Sequence, residues 1–319
     1  MARIFIDGFE NGSGDLWTSA AGNFTATACN GSYGWYGYNY QVISKNVGER
    51  SVVFIGFNFQ NLGPYNKPCF RIRLGTTALM TVNYDPSEFW ELYRGGATLL
   101  GQTDVGSCPF STWFHVQIKY VPDPSSGILQ VKFNDVLVFD YSGNTVPGSE
   151  TTLDNVYFRA DHSQSAERVD DVVIDDSDWP GVTKIAAIKP TGAGATTSWT
   201  PSAGSNWDCV DEVPPSDTDY VYINSADQID TYAAGDLPAE ADTIKCVQVQ
   251  ARALKQSDAT PQNIALGVRT GGADYFGSDL ALTSAFSGHA QMFENNPDTA
   301  SPWTVGEVNG AEIGIKSRA

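Results

Sequence analysis

The residues that could do chemistry come first. A pair of carboxylates about 5–5.5 Å apart can serve as nucleophile and acid/base in glycan cleavage, and alternation along a strand puts the first and third residues on one face. The Glu-x-Asp-x-x-Glu triplet that supplies such a pair is absent. The nearest acidic clusters are Glu167-Arg168-Val169-Asp170-Asp171 and Asp85-Pro86-Ser87-Glu88, and neither has the spacing. The histidines are His115, His162 and His289. The chain has no Gly-x-Ser-x-Gly elbow, no His-Glu-x-x-His pair, no P-loop and no dinucleotide fingerprint. His115 falls on the polar phase of an alternating strand, which predicts a surface or groove position rather than a catalytic one. These absences predict a protein without enzymatic activity.

The most unusual local feature is Tyr33-Gly34-Trp35-Tyr36-Gly37-Tyr38-Asn39-Tyr40. Exposed rings with glycines between them can stack on sugars or anchor a partner subunit. Alternate rings of the same run can equally fill a core. Tyr33, Trp35, Tyr36, Tyr38 and Tyr40 are therefore the candidate glycan- or partner-binding residues. Glu88-Phe89-Trp90-Glu91-Leu92-Tyr93 poses the same choice, leaning to core.

These residues must be positioned by strands. The 319 residues are 18% charged, with 31 Gly, 16 Pro and 12% aromatics, a composition unlike that of a long helical protein. Tyr, Phe and Trp number 14, 16 and 8, too many for a disordered chain. A net charge of −18 excludes a phosphate-neutralising surface and with it nucleic-acid binding. No run of 18 apolar residues is present, so no membrane span is expected. The start, Met1 to Asp7, is too short and too quickly acidic for a signal peptide. Cys29, Cys69, Cys108, Cys209 and Cys246 are odd in number and lack close pairs, which predicts free thiols rather than a disulfide framework.

A period of two recurs in Phe70-Arg71-Ile72-Arg73-Leu74, in Phe114 to Tyr120 and in Leu129 to Phe133. Asn134-Asp135 then sits where a tight hairpin turn belongs, with Val136 to Phe139 as the return strand. Ser51 to Phe59 is uniformly apolar, as in a central strand covered on both sides. No amphipathic helix longer than about three turns is found. Many short strands with Gly, Pro, Asn and Asp turns predict an all-β chain of β-sandwich or jelly-roll type. The acidic stretch Asp175 to Asp178, followed by Trp179-Pro180-Gly181, predicts a boundary, giving domains 1–183 and 184–319. There are 11 basic and 20 acidic residues before Lys184 and 8 and 17 from it onward, so each part carries −9. Lys184 to Ile188 reads as a strand and Thr191 to Thr197 as a low-complexity loop. Ile244 to Ala253, Ile264 to Arg269 and Glu312 to Lys316 read as further strands.

Two resemblances can be stated. Trp113-Phe114-His115-Val116-Gln117-Ile118, Gly127 and Gln130-Val131-Lys132-Phe133-Asn134-Asp135 resemble the central strands of laminin-G-like and concanavalin A-like lectin/glucanase sandwiches. Ile6-Asp7-Gly8-Phe9-Glu10 and Asp170-Asp171-Val172 look like the first and last strands of such domains. The second part is similar to uncharacterised structural proteins of tailed phages and prophages. The likeness lies in Trp199-Thr200-Pro201, Asn206-Trp207, Val210-Asp211-Glu212, Pro214-Pro215 and Asp217 to Val221, and in Trp303-Thr304, Val308-Asn309 and Glu312 to Lys316.

The first resemblance implies a structural calcium between the opening loop and the last strand, with Glu10, the Gly12 carbonyl and Asp171 as ligands. Hard oxygen donors suit that ion. No other cofactor is implied. The second implies a non-enzymatic virion component of tail, fibre, collar or capsid surface. It would be made in the host cytoplasm without a signal peptide and placed by other virion proteins in a homo-oligomer. The alternative, from the first domain, is a glycan-binding module for bacterial surface polysaccharide.

Overall fold

The computed structural model describes residues 3–163, 166–257 and 261–319. Strands hold 51% of the chain and helices 3%, so the fold is all-β. The chain divides into two compact units, Met1–Ile185 and Ala186–Ala319.

The first unit is a two-layer sandwich. Its strands are β1 (Arg3–Asp7), β2 (Ser19–Ala20), β3 (Asn23–Thr25), β4 (Gly34–Tyr38), β5 (Val42–Arg50), β6 (Val53–Asn61), β7 (Lys67–Leu74), β8 (Thr77–Asp85), β9 (Phe89–Arg94), β10 (Thr98–Gln102), β11 (Phe114–Val121), β12 (Gly127–Phe133), β13 (Val136–Gly143), β14 (Leu153–Arg159) and β15 (Ala166–Asp175). One sheet runs β13-β12-β11-β6-β15-β4-β3 with β1 also on β15, and the other runs β10-β9-β8-β7-β14-β5-β2.

Aromatic side chains from both sheets meet between the layers. The Phe57 ring stacks on Phe70 at 5.6 Å and meets Phe158 edge-on at 4.9 Å. Phe59 meets Trp90 at 5.7 Å, and Trp90 meets Phe133 at 5.1 Å. Such offset and edge-on pairs add to the gain from burying their area. One ion pair is sealed within the same unit, Lys67 Nζ to Glu167 Oε1 at 3.2 Å, with side chains 1% and 0% exposed.

The hairpin at Asn134-Asp135 has φ of 48° and 67°, the left-handed pair that a two-residue turn of this hand requires. All nine residues of β6 are buried, as its uniform apolarity predicts. Its outer face is covered by the segment that follows β15. Trp179 meets Phe54 edge-on at 5.5 Å, the Gly181 N–H donates to Gln117 Oε1 at 2.8 Å, and Pro180 lies over Gly56. A Cβ on Gly56 would stand 3.2 Å from Pro180, so the missing side chain lets this segment lie on the sheet.

Strand β15 changes partner halfway. Ala166 to Val169 pair with β4, and Val172 to Asp175 pair with β1. The register slips between Asp170 and Val173 on β6, with Asp171 at a φ of 50°. That bulge sets two buried carboxylates side by side beneath the covering segment.

The second unit pairs Pro190–Thr197, Ile229–Ala234, Glu312–Arg318, Asn263–Thr270 and Ala273–Phe276 in that order, with Leu280–Ala281 added on Asn263–Thr270. A separate ribbon joins Val247–Ala253 to Ser287–Phe293. Val249, Ile264, Leu266, Val268, Trp303 and Val308 form the core between them. The one α-helix among the described residues, Val305–Asn309, opens with a capping box of Thr304 and Glu307.

Two local expectations are corrected here. Lys184 to Ile188 forms no strand, because the Ile185 N–H is held by Asp171 Oδ1 at 2.7 Å within the first unit. Thr191 to Thr197 is not a loop but most of an edge strand. Its glycines and alanines admit close neighbours: a Cβ on Gly194 would lie 2.4 Å from both Thr231 Oγ1 and Glu312 Oε2. None of the five cysteines forms a disulfide, and among the described residues no helix is long and apolar enough to cross a membrane.

The aromatic layer predicts its own sensitivity. Phe57→Ala should lower the stability of the first unit by about 3–5 kcal/mol, read as a shifted midpoint in urea unfolding. An unchanged midpoint would remove Phe57 from the centre of the core.

Candidate functional site

Alternation sends every second residue of β5, β14, β7, β8 and β9 to the outer face of their sheet. The Cα register aligns Ser44, Tyr157, Arg71, Thr81 and Tyr93 in one row across these five strands. Asn46, Asn155 and Arg73 form a second row beside it. Arg159 follows Tyr157 two residues on, on the same face.

Three guanidiniums therefore gather in a chain whose net charge is −18. Arg73 lies over the Tyr157 ring at 3.8 Å, a favourable cation–π contact. Arg159 pairs with Asp161 at 2.5 Å. Burial, then Arg159 and Arg73, lower the pKa of Arg71 from its usual value, so like charges crowd there. The Nε atoms of Arg71, Arg73 and Arg159 are buried without a hydrogen-bond partner, as are Thr81 Oγ1, Asn83 Oδ1 and Asn155 Oδ1. Buried polar groups left unpaired are costly, so this face presents donors and acceptors without internal partners. Of its acidic neighbours, Asp161 is held by Arg159, and Glu91 accepts from the Tyr93 hydroxyl at 3.0 Å.

The tyrosine-rich run goes elsewhere and is split. Trp35 is fully buried, with its Nε1–H donating to the Ala21 carbonyl at 3.1 Å. Tyr33 and Tyr36 are half-buried, and Tyr38 and Tyr40 are 44% and 58% exposed. Tyr36 and Tyr38 sit 6.0 Å apart, with Arg168 over Tyr36 at 5.6 Å. These two rings are brought together on the other sheet, away from the arginine rows. Trp90 and Leu92 of the second aromatic run are core, while Glu91 and Tyr93 reach the arginine face.

Glu10, Gly12 and Asp171 occupy the loop and bulge the sequence places them in. Both Glu10 oxygens accept from the Ser32 N–H, at 3.0 and 2.9 Å. Asp171 Oδ2 accepts from Asn30 Nδ2 at 2.6 Å and Asn58 Nδ2 at 2.8 Å, and its Oδ1 takes Ile185 N–H. Gly12 closes a turn on the Phe9 carbonyl at 2.8 Å, with φ of 65°. Among the described residues no three His, Cys, Asp or Glu are grouped to hold a metal ion. The carboxylate oxygens face N–H donors, so this donor set does not fit the calcium that the lectin-like resemblance implies. Asp170 Oδ2 likewise accepts from the backbone of Cys29 and Asn30, at 2.8 and 3.0 Å.

Sequence reading passed over Arg71, Arg73, Tyr157 and Arg159 as binding residues. The usable signal was a pair of basic residues at i and i+2, and a Tyr-x-Arg of the same spacing. Neither shows which strands lie side by side.

No family model matches the chain, and no curated protein matches it. Among solved structures, the cellulose-induced protein Cip1 aligns at a TM-score of 0.44 and 15% identity, over 56% of this chain and 100% of that one. An endo-β-1,4-glucuronan lyase from the fungus Trichoderma reesei aligns at 0.40 and 17%, over 57% and 100%. The carbohydrate-binding module CBM66 from Bacillus subtilis aligns at 0.36 and 12%, over 50% and 95%. At these values the similarities assign this chain no ligand and no activity.

The bulge gives a pH prediction. Burial raises the pKa of both Asp170 and Asp171 above 3.8, and for Asp170 the charge of Asp171 adds to it. A carboxylate raised on folding contributes stability that is fully present below its unfolded pKa and is lost as pH climbs through the folded one. The melting temperature should therefore carry a component that falls as pH rises above about 4. Asp170→Asn should flatten that component in thermal melts, and an unaltered profile would show that the pair does not titrate this way.

Proposed function

We propose that the chain is a glycan-binding protein whose first unit takes an acidic polysaccharide along the outer face of β5, β14, β7, β8 and β9. The carrying observation is the cluster of Arg71, Arg73 and Arg159 on one sheet face of an otherwise acidic molecule. A guanidinium presents its donors in a planar fork that matches a carboxylate in two-point contact. The exposed part of the Tyr157 and Tyr93 rings offers apolar faces beside those forks, as sugar rings require. Asn83, Asn155 and Thr81 supply neutral donors and acceptors for hydroxyls. Together these features favour uronate-bearing chains over neutral ones.

The net negative charge elsewhere favours this face as the entry point, because a polyanion is repelled from the rest of the surface. The virion reading stands on the motif resemblance of the second part, and no residue arrangement described above bears on it.

The test is binding of the full chain to a polyuronate and to an uncharged glucan, by calorimetry at low and high salt. Polyuronate should bind more tightly, and added salt should weaken it by screening. Arg71→Gln should weaken it by about tenfold or more, in line with a net ~1.5–3 kcal/mol for a hydrogen bond to a charged group. Arg73→Gln should act in the same direction and also free the Tyr157 ring. Equal binding of both polymers, or no effect of either substitution, would overturn the proposal.

A further inference from the structure

A second site lies on the opposite sheet. A cleft of about 370 Å³ is bounded by Cys29 and Asn30, by Asn58 of β6, by Trp113 just before β11 and His115 within it, by Asn134 of the hairpin, and by Thr183 and Lys184 of the covering segment. This volume is in the range of small-ligand pockets. His115 is 3% exposed, and neither of its ring nitrogens has a hydrogen-bond partner. Thr183 Oγ1 is also buried and unpartnered.

We propose that this cleft binds one uncharged sugar unit through its hydroxyls. The amide nitrogens of Asn30 and Asn58 each give one N–H to Asp171 Oδ2, which orients both amides and leaves each a second N–H and a carbonyl oxygen to offer. Asn134 Oδ1 is spent on the His115 backbone N–H at 2.9 Å, which fixes the hairpin against the strand that carries the imidazole. Burial holds His115 well below its usual pKa, at about 4, and a neutral ring has one donor and one acceptor nitrogen. The Thr183 hydroxyl can do either. A ligand that satisfies this set must donate and accept at closely spaced points, which is what adjacent sugar hydroxyls do.

Lys184 also borders the cleft, and Asp171 behind the two asparagines lies close enough to oppose its charge, so the site is not built around an unopposed ion. Half-buried Trp113 supplies the apolar wall that a pyranose face needs. The site shares no residue with the arginine rows, so it stands or falls independently of the polyuronate reading.

The experiment is a titration of the full chain, ¹⁵N-labelled in its histidine rings, with methyl glucoside, methyl mannoside and N-acetylglucosamine up to tens of millimolar. One histidine, assigned by its loss in His115→Gln, should shift saturably with at least one sugar. Thr183→Val should weaken that sugar by about tenfold while leaving the melting temperature and polyuronate binding unchanged. Absence of any saturable shift would mean a cleft filled by water only, and overturns the proposal. A shift unaffected by Thr183→Val overturns it as well.

Discussion

The structure of the first unit depends on the aromatic layer between its two sheets. Phe57, Phe59, Phe114 and Phe133 come from one sheet and Phe70, Trp90 and Phe158 from the other. Because side chains alternate along a strand, fixing these rings inward fixes every neighbour outward. Arg71 is outward because Phe70 and Ile72 are inward, and His115 because Phe114 and Val116 are. A one-residue slip in β7 would bury both arginines, so the register that builds the core also builds the arginine rows.

The two outer faces then meet different fates. On one, the Nε atoms of Arg71 and Arg73 are buried with no hydrogen-bond partner, and Arg73 lies over the Tyr157 ring. On the other, the segment after β15 folds back over Gly56, Gln117 and Asp171. That cover turns a polar strand face into a cleft with a floor of amides and imidazole. The bulge at Asp170-Asp171 is central to it, because the same carboxylate that departs from regular pairing holds Asn30, Asn58 and Ile185 in place.

Electrostatics reads differently at each scale. The whole chain is acidic, and the acid is evenly shared between its two parts. Locally, the sheet face around Arg71 gathers three guanidiniums, whereas the bulge gathers carboxylates whose pKa values rise through burial. Net charge describes how the molecule repels polyanions in general, and the placement of a few residues sets the local field.

By itself the sequence determined the fold class, the central strand at β6, the hairpin at Asn134-Asp135 and the lack of a full disulfide framework. Each is a matter of neighbours along the chain: period, turn-forming types and cysteine spacing. It misplaced Thr191 to Thr197, because small residues look like linker until a partner strand is known to need their lack of bulk. It left Tyr33 to Tyr40 open between surface and core, and alternation and the turn at Tyr40 part buried Trp35 from Tyr36 and Tyr38. Only the tertiary structure set Arg71 beside Tyr157 and Arg159, or His115 beside Asn58 and Thr183. Those residues are far apart in the chain, and inter-strand register and the path of the covering segment bring them together. Register depends on long-range hydrogen bonding and core packing, which no local pattern encodes.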